Sequence, residues 1–314
     1  MTPSVAASGA LPAAAPKVSV VMTVYNAEPY LRDAIDSILR QTFGGFEFII
    51  VNDGSTDRSP EILNEIARID SRVRLISRAN TGIVAAANEG IAAARGQYLA
   101  RMDADDVSLP RRFERQVEYL DAHPDCVVVG SRVMNTDPHG IPVAPSEHAL
   151  THAEIDAQLM TVGGGWALLQ PATMMRLEAV RKVGGYRGAY NISEDHDLFL
   201  RLAEVGTVAN LPDVLFHYRR RYDGASHTHL HQLAEAKEKV LREAHQRRGL
   251  PVPPGWKVEP WKPVPVGEQA RAWGWAALRA GNVAVAREHA GSALRHAPFS
   301  AATWRLVFCA LRGR

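Results

Sequence analysis

Three times between Val18 and Arg95 a short apolar run gives way to a stretch of helical spacing, and a fourth such run follows at Tyr98. That alternation restricts the chain to an α/β fold. VSVVMTV, from Val18 to Val24, is apolar almost throughout and rich in β-branched residues, as suits a strand covered on both faces. A helix follows from about Pro29 to Gln41, with Leu31, Ile35, Ile38 and Leu39 on one face. FEFIIV (Phe46 to Val51) is the second strand, and Ser59-Pro60 reads as a cap and first turn for a helix lined by Ile62, Leu63, Ile66 and Ile69. Val73 to Ile76 is the third strand, Thr81 to Arg95 an Ala-rich helix, and Tyr98 to Met102 the fourth strand. Repeated βαβ units imply a Rossmann-like, mostly parallel sheet with helices on both faces.

In such sheets ligands sit beyond the C-terminal strand ends. Those ends carry Tyr25-Asn26, Asp53-Gly54-Ser55 and the acidic group Asp103, Asp105 and Asp106. Crowded carboxylates repel one another, and a divalent cation relieves that repulsion; hard oxygen ligands suit Mg2+ or Mn2+. The alternative is a solvated acidic turn. Ser108 and Pro110 are expected to open the next helix, which runs to about His123 with Phe113, Val117 and Leu120 inward.

Farther along, Asp125 to Gly130 reads as a strand and Met134 to Leu150 as a long loop. Gln170 to Met175 is a candidate strand, followed by a helix stopping at Gly184-Gly185. In NISEDHDLFLRLAEVG, Ser193 can cap a helix whose buried stripe is Leu198, Leu202 and Val205. Glu194, Asp195 and Asp197 fall in its first turn, where the helix dipole favours negative charge. Val214 to Tyr218 is a last strand, leading into RRRYDGASHTHLH.

Composition excludes several classes. Hydrophobic residues are 46% and charged residues 22%, ordinary for a soluble domain. A net charge of +2 does not indicate nucleic-acid binding. Cys126 and Cys309 match no metal spacing, which points to a reducing, cytoplasmic setting. No apolar run reaches the roughly 20 residues needed to cross a bilayer. Residues 1–16, rich in Ala, Pro and Ser without a basic flank, read as a disordered tail and not a signal peptide.

The segments VSVVMTVYNAEPYLRDAIDSILRQTF, FIIVNDGSTDRSPEI, ANTGIVAAANEGIAAARGQYLARMDADD and GGYRGAYNISEDHDLFLRL together resemble the inverting family 2 glycosyltransferases of GT-A fold, over about Val18 to His227. The resemblance implies a metal-dependent transfer of a sugar from a nucleotide-sugar donor, a UDP-sugar, to a hydroxyl of a glycan or lipid-linked acceptor in bacterial surface polysaccharide synthesis. It implies that Thr23 lies near the uracil, that Tyr25 stacks on it, and that Asp53 accepts a hydrogen bond from the ring N–H. Asp103 and Asp105 resemble the DxD pair, Asp105 holding Mn2+ or Mg2+ and Asp103 the nucleotide or the metal's shell. Asp106 either joins them or caps the next helix. Asp195 matches the catalytic base, with Glu194 as the neighbouring alternative.

An inverting displacement needs a carboxylate to deprotonate the attacking hydroxyl and positive charge to receive the leaving diphosphate. About 90 residues between Asp105 and Asp195 allow two walls of one cleft to supply them. Arg219, Arg220 and Arg221, with His227, His229 and His231, form either a lid over the diphosphate or a solvated basic surface. Gly163 to Trp166 offers either an acceptor platform or a buried aromatic. Two positions depart from the family's pattern: no Arg precedes Asn88, and Gln170-Pro171 stands where relatives show His-Pro. A scaffold of the same fold that binds donor without transfer is the alternative function. A nucleotidyltransferase lacks its phosphate loop near the first strand, and no GxGxxG supports a dinucleotide enzyme.

The catalytic domain is assigned to residues 17–249, a Pro- and Trp-rich linker to 250–266, and a helical segment to 267–314. GNVAVAREHAGSALRHAP resembles half of a tetratricopeptide repeat, with Gly281, Ala286, Ala290, Ala293, Leu294 and Pro298 at its spacings. One repeat cannot bury its faces alone. It packs on the catalytic domain, continues into Ala301 to Leu311, or binds a protein partner. Trp304, Val307, Phe308 and Leu311 beside Arg305, Arg312 and Arg314 suit either a docked helix or peripheral membrane contact.

Overall fold

A computed structural model describes residues 15–221, 230–252, 257–258 and 264–313. Its centre is a nine-stranded sheet of order β3-β2-β1-β4-β8-β6-β9-β5, with β7 attached to β6. The first half is as the sequence implies: β1 (Val18–Val24), β2 (Phe46–Asp53), β3 (Val73–Arg78) and β4 (Tyr98–Asp103) are parallel neighbours. Val18, Val20, Met22 and Val24 face one core with Leu31, Ile35 and Ile38 of α1 (Glu28–Leu39). Val21 faces the other, with Val84, Ala87 and Ile91 of α3 (Ile83–Ala93). Alternate residues thus enter opposite cores; the second phase also carries Ser19, whose hydroxyl is satisfied by Glu47, and Thr23 near the strand end.

Beyond β4 the sheet becomes mixed. β8 (Met174–Arg176) inserts antiparallel between β4 and β6 (Cys126–Thr136), and β6 is parallel to β9 (Thr207–Arg219). Of residues 134–150, expected as loop, 134–136 are instead the end of β6 and 142–145 the antiparallel β7 (Pro142–Pro145), joined by a turn, while 146–150 have no regular structure. Ser108 and Pro110 do not begin a helix. Val107 and Ser108 form β5, paired with His217 and Phe216 of β9, and α4 (Arg112–Ala122) starts after them. The edge of β9 takes up this stretch before Pro110 can act as a helix opener.

Two cap assignments also fail. Ser59 is already inside α2 (Ser59–Ile69), and its hydroxyl accepts the Ala27 amide at 3.1 Å. Ser193 precedes α7 (Glu194–Ala203), but its hydroxyl makes no cap bond. Ile69 and Val205 sit at helix ends and face outward. α5 (His152–Leu159), α6 (Leu177–Lys182) and α8 (Leu230–Arg247) complete the layer over α7.

The C-terminal helices α9 (Val266–Arg279), α10 (Val283–His296) and α11 (Ala301–Arg312) bury Ala270, Ala277, Ala286, Ala290, Ala293, Leu306 and Ala310 together. A Cβ on Gly274 would lie 2.7 Å from Leu306, so glycine permits this close approach of helices. Of the outcomes open to the repeat-like segment, two occur at once: it continues into α11 and it docks on the β6–β7 hairpin. The dock is polar at its centre, where His289 Nε2 lies 2.7 Å from Asp137 Oδ2, both buried, and Ile141 packs against the helices.

Candidate active site

β2, β1 and β4 end together, so their polar termini meet on one edge. Thr23 is paired with Val51 on one side and Asp103 on the other. Tyr25, just past the strand, is 54% exposed and its ring is available to a ligand. Asp53 is buried and already engaged: its carboxylate accepts the amides of Thr81 (3.1 Å) and Gly82 (2.9 Å), and Arg78 lies 3.3 Å away. It organises the turn before α3. Gly54 must follow, because its φ is +74° and a Cβ would sit 2.6 Å from the Asn80 amide nitrogen.

The acidic turn divides by environment. Asp106 is buried; its Oδ1 accepts the Arg219 amide at 2.7 Å, while Oδ2 has no partner among the described residues. Burial and the charges of Asp105 and Asp103 push its pKa well up. Asp103 is half-buried; burial raises it to about 6, Arg101 opposes, and the charges of Asp105 and Asp195 add to the rise. Asp105 lies 3.2 Å from Arg221 Nη1, and its carbonyl accepts from Arg219 Nε at 2.7 Å. Asp103 and Asp105 retain partly exposed oxygens. Among the described residues no group of three ligating side chains could close a metal shell. Two partly exposed carboxylates are a donor set of the kind a Mg2+-like ion takes when ligand phosphate oxygens complete its shell.

Sequence reading missed the positive charge beneath this turn. Arg101 is fully buried, donating to the Val21 carbonyl (2.8 Å) and lying 3.4 Å from Asp103. Arg112, also fully buried, donates to the carbonyls of Arg101 (2.9 Å) and Thr173 (3.0 Å). The visible signal was an Arg inside an otherwise apolar strand, two residues ahead of Asp103. Arg219 proves to be the last residue of β9, buried and stacked 4.8 Å from the Tyr30 ring. His227 and His229 lie outside the described residues, and His231 is exposed on α8.

The facing wall is the N-terminus of α7. Burial raises Glu194 to about 8, with Asp195 and Asp103 adding to the rise. Burial also raises Asp195, while the His196 amide (2.7 Å) and the Lys237 charge act against it. The Asp195 charge thus adds to the rise of Asp103, which brings the start of α7 close to the acidic turn. Lys237, buried on α8 and donating to the Val162 carbonyl at 3.1 Å, was not singled out from sequence. Asp197 is structural: Arg187 and Arg201 both bind it, and Arg201 also donates to the carbonyls of Val183 and Gly185. Asn88 clamps the Tyr186 backbone with bonds of 2.8 and 3.0 Å, and Gln170 donates to the Tyr186 hydroxyl at 3.0 Å. A cavity of about 230 Å³ opens beside this wall, lined among others by Trp166, Tyr218, Arg220, His148 and Ser146. Trp166 is 40% exposed, with the Arg220 guanidinium 5.2 Å from its ring.

A parallel half-sheet with carboxylates at its strand ends, beside an acidic helix N-terminus, is the layout of the GT-A fold. The profile of Glycosyl transferase family 2 matches residues 19–184, and the chain belongs to that family. It is 30% identical over 245 residues to an uncharacterized glycosyltransferase of Haemophilus influenzae, covering 73% of each chain. It is 31% identical over 216 residues to the amylovoran biosynthesis glycosyltransferase AmsE of Erwinia amylovora, covering 65% of this chain and 77% of that one. Among solved structures, S. aureus TarS 1–349 with UDP-GlcNAc aligns at TM-score 0.57 and 16% identity, over 95% of this chain and 92% of that one. The mannosyltransferase PcManGT of Pyrobaculum calidifontis, with GDP-Man and Mn2+, aligns at 0.56 and 19%, over 96% and 81%. These two share the fold.

Proposed function

We propose that the chain is a metal-dependent, inverting hexosyltransferase that moves a sugar from a UDP-sugar to a hydroxyl of a glycan or lipid-linked saccharide, in bacterial surface polysaccharide synthesis. The observation that carries this reading is the closeness of Asp103 to the acidic start of α7: the Asp195 charge raises Asp103, and the Asp103 charge raises Glu194. Asp195 is the base: burial raises its proton affinity, and Lys237 keeps it from rising too far. Thr23, Tyr25 and Asp53 receive the nucleoside, Tyr25 offering an exposed ring. Binding of uracil to Asp53 requires only a further lone pair, since each carboxylate oxygen accepts more than one hydrogen bond. When bound, a Mg2+ or Mn2+ at Asp103 and Asp105 supplies Lewis-acid stabilisation of the departing diphosphate. Arg221, now against Asp105, is positioned to turn to the same negative charge.

The Trp166 cavity is the acceptor pocket in this reading. Its volume of about 230 Å³ suits a sugar ring, being smaller than the roughly 300–1,000 Å³ of drug-sized sites. TarS with UDP-GlcNAc and PcManGT with GDP-Man and Mn2+ support a nucleotide-sugar donor and a metal by analogy of fold. The test is nucleotide release from a panel of UDP- and GDP-sugars, with and without Mn2+. Release from a UDP-sugar that stops in Asp105→Ala and Asp195→Asn supports the reading. Donor binding without release under every condition would instead leave a non-catalytic scaffold.

A further inference from the structure

The outermost helix presents an apolar stripe. α11 buries Thr303, Leu306 and Ala310 against α9 and α10, and turns Trp304, Phe308 and Leu311 outward at 54%, 58% and 66% exposure. Spacings of four and three put these on one helical face. Phe299, in the turn ahead of α11, is 99% exposed. Scattered exposed apolar residues need no explanation, but four large ones grouped at one end of a molecule do. The turn is held in place: Trp304 Nε1 donates to the Pro298 carbonyl at 2.7 Å, which satisfies the indole N–H and fixes the chain beside Phe299.

The charges carried by α11 itself have one sign. Arg305 and Arg312 are exposed on the same outward side, and the Arg312 guanidinium stacks 5.0 Å from the Phe308 ring. From His289 to Arg314 the sequence has Arg at 295, 305, 312 and 314 and no Asp or Glu. A protein-binding face normally carries a mixed polar rim. Arginines flanking Trp, Phe and Leu on the same helix complement lipid phosphate, with arginine stems lying along acyl chains and their heads in the phosphate layer. At 12 residues α11 is too short to span, since about 20 are needed, so it would lie in the interface plane.

We propose that α11, together with Phe299, docks this protein on the surface of an anionic bilayer. The opposite side of the helical layer grips the β6–β7 hairpin through His289 and Asp137, and that hairpin also supplies Asn135 to the Trp166 cavity. Lipid contact and the acceptor pocket are therefore joined by one two-stranded element. The docking stands on the surface chemistry alone and does not require the transferase reading.

Co-sedimentation of the full chain with phosphatidylglycerol–phosphatidylcholine vesicles tests it, with pure phosphatidylcholine vesicles as the neutral arm and donor-free buffer throughout. The expected result is binding to the anionic vesicles that weakens with salt. Trp304→Ser with Phe308→Ser should lose it, and Arg305→Glu with Arg312→Glu should weaken it at least about tenfold. Because Trp304→Ser also removes the bond to the Pro298 carbonyl, Phe308→Ser alone is the second variant and should also weaken binding, with thermal unfolding compared across all variants. Three results overturn the proposal: no binding to anionic vesicles, equal binding to both vesicle types, or a dimer in solution that Trp304→Ser dissociates. The last would assign the face to a second copy of the chain. Because no turnover is read, failure here leaves the proposed transfer reaction untouched, and failure of the nucleotide-release assay leaves the docking untouched.

Discussion

The backbone amide of Arg219 donates to Asp106 Oδ1 at 2.7 Å, joining residues 113 apart and fixing the end of β9 against the acidic turn. Arg219 then binds the Asp105 carbonyl with its side chain, and Arg221 reaches the Asp105 carboxylate. The basic stretch after β9 therefore begins as part of the site floor. With Arg101 and Arg112 buried below, it offsets carboxylates that would otherwise repel one another.

Exchange of Asp195 for Asn should lower kcat by roughly 10²- to 10⁴-fold, the usual share of a general base. Donor affinity, read by thermal shift, should stay near that of the wild type, because Asp195 is carried by α7 and not by the strand ends that hold Thr23, Tyr25 and Asp53. A loss of donor binding of the same size as the rate loss would argue against the assigned role.

Lys237 should set where that base titrates. Its charge opposes the rise of the Asp195 pKa, so Lys237→Met should raise it further. The acid limb of the kcat profile is expected to move up by about one pH unit, with rate recovering at high pH. A uniform loss at every pH, with no movement of the limb, would mark Lys237 as structural only.

Glu194 makes a pH prediction for stability. Its pKa rises from 4.5 to about 8 on folding, so the folded state holds the proton more tightly. The resulting stability is fully present below pH 4.5 and is lost as pH rises through about 8. Glu194→Gln should therefore raise Tm at pH 8.5 and change it little at pH 4. Equal effects at both pH values would contradict the buried-acid description.

Asp106 should tolerate Asn and not Ala. Asn retains an oxygen for the Arg219 amide and removes the charge that burial and neighbouring carboxylates disfavour. In metal-free buffer at neutral pH, Asp106→Asn should match or exceed the wild type in urea unfolding. Asp106→Ala, which strands the buried amide, should cost about 1–3 kcal/mol.

His289→Ala leaves the buried Asp137 oxygen without its partner, at a cost of about 1–3 kcal/mol. The loss should be local. Hydrogen exchange should quicken in α9–α11 and the β6–β7 hairpin while β1, β2 and β4 keep their protection.

Much of this protein could be read before any coordinates. The strands β1, β2 and β4 announce themselves because both faces are covered, which leaves neither phase of their sequences consistently polar. Their acidic and turn-forming ends followed from the same pattern, and family motifs supplied candidate roles for Thr23, Tyr25, Asp53, Asp103, Asp105 and Asp195. Local signals failed where long-range pairing decided the outcome. Ser108 was claimed by the β9 edge, residues 134–145 folded back as a hairpin, and Ser59 bonded across to Ala27. Arg101 shows only as a charge inside an apolar strand, and Arg112 and Lys237 carry no local mark of their importance, since charge matters through distance and burial and neither is written in spacing. The chain's periodicity determined its layers and which strand ends would be polar; only tertiary packing decided which charges face each other, because a low-dielectric interior makes neighbours remote in sequence the strongest influences on each carboxylate.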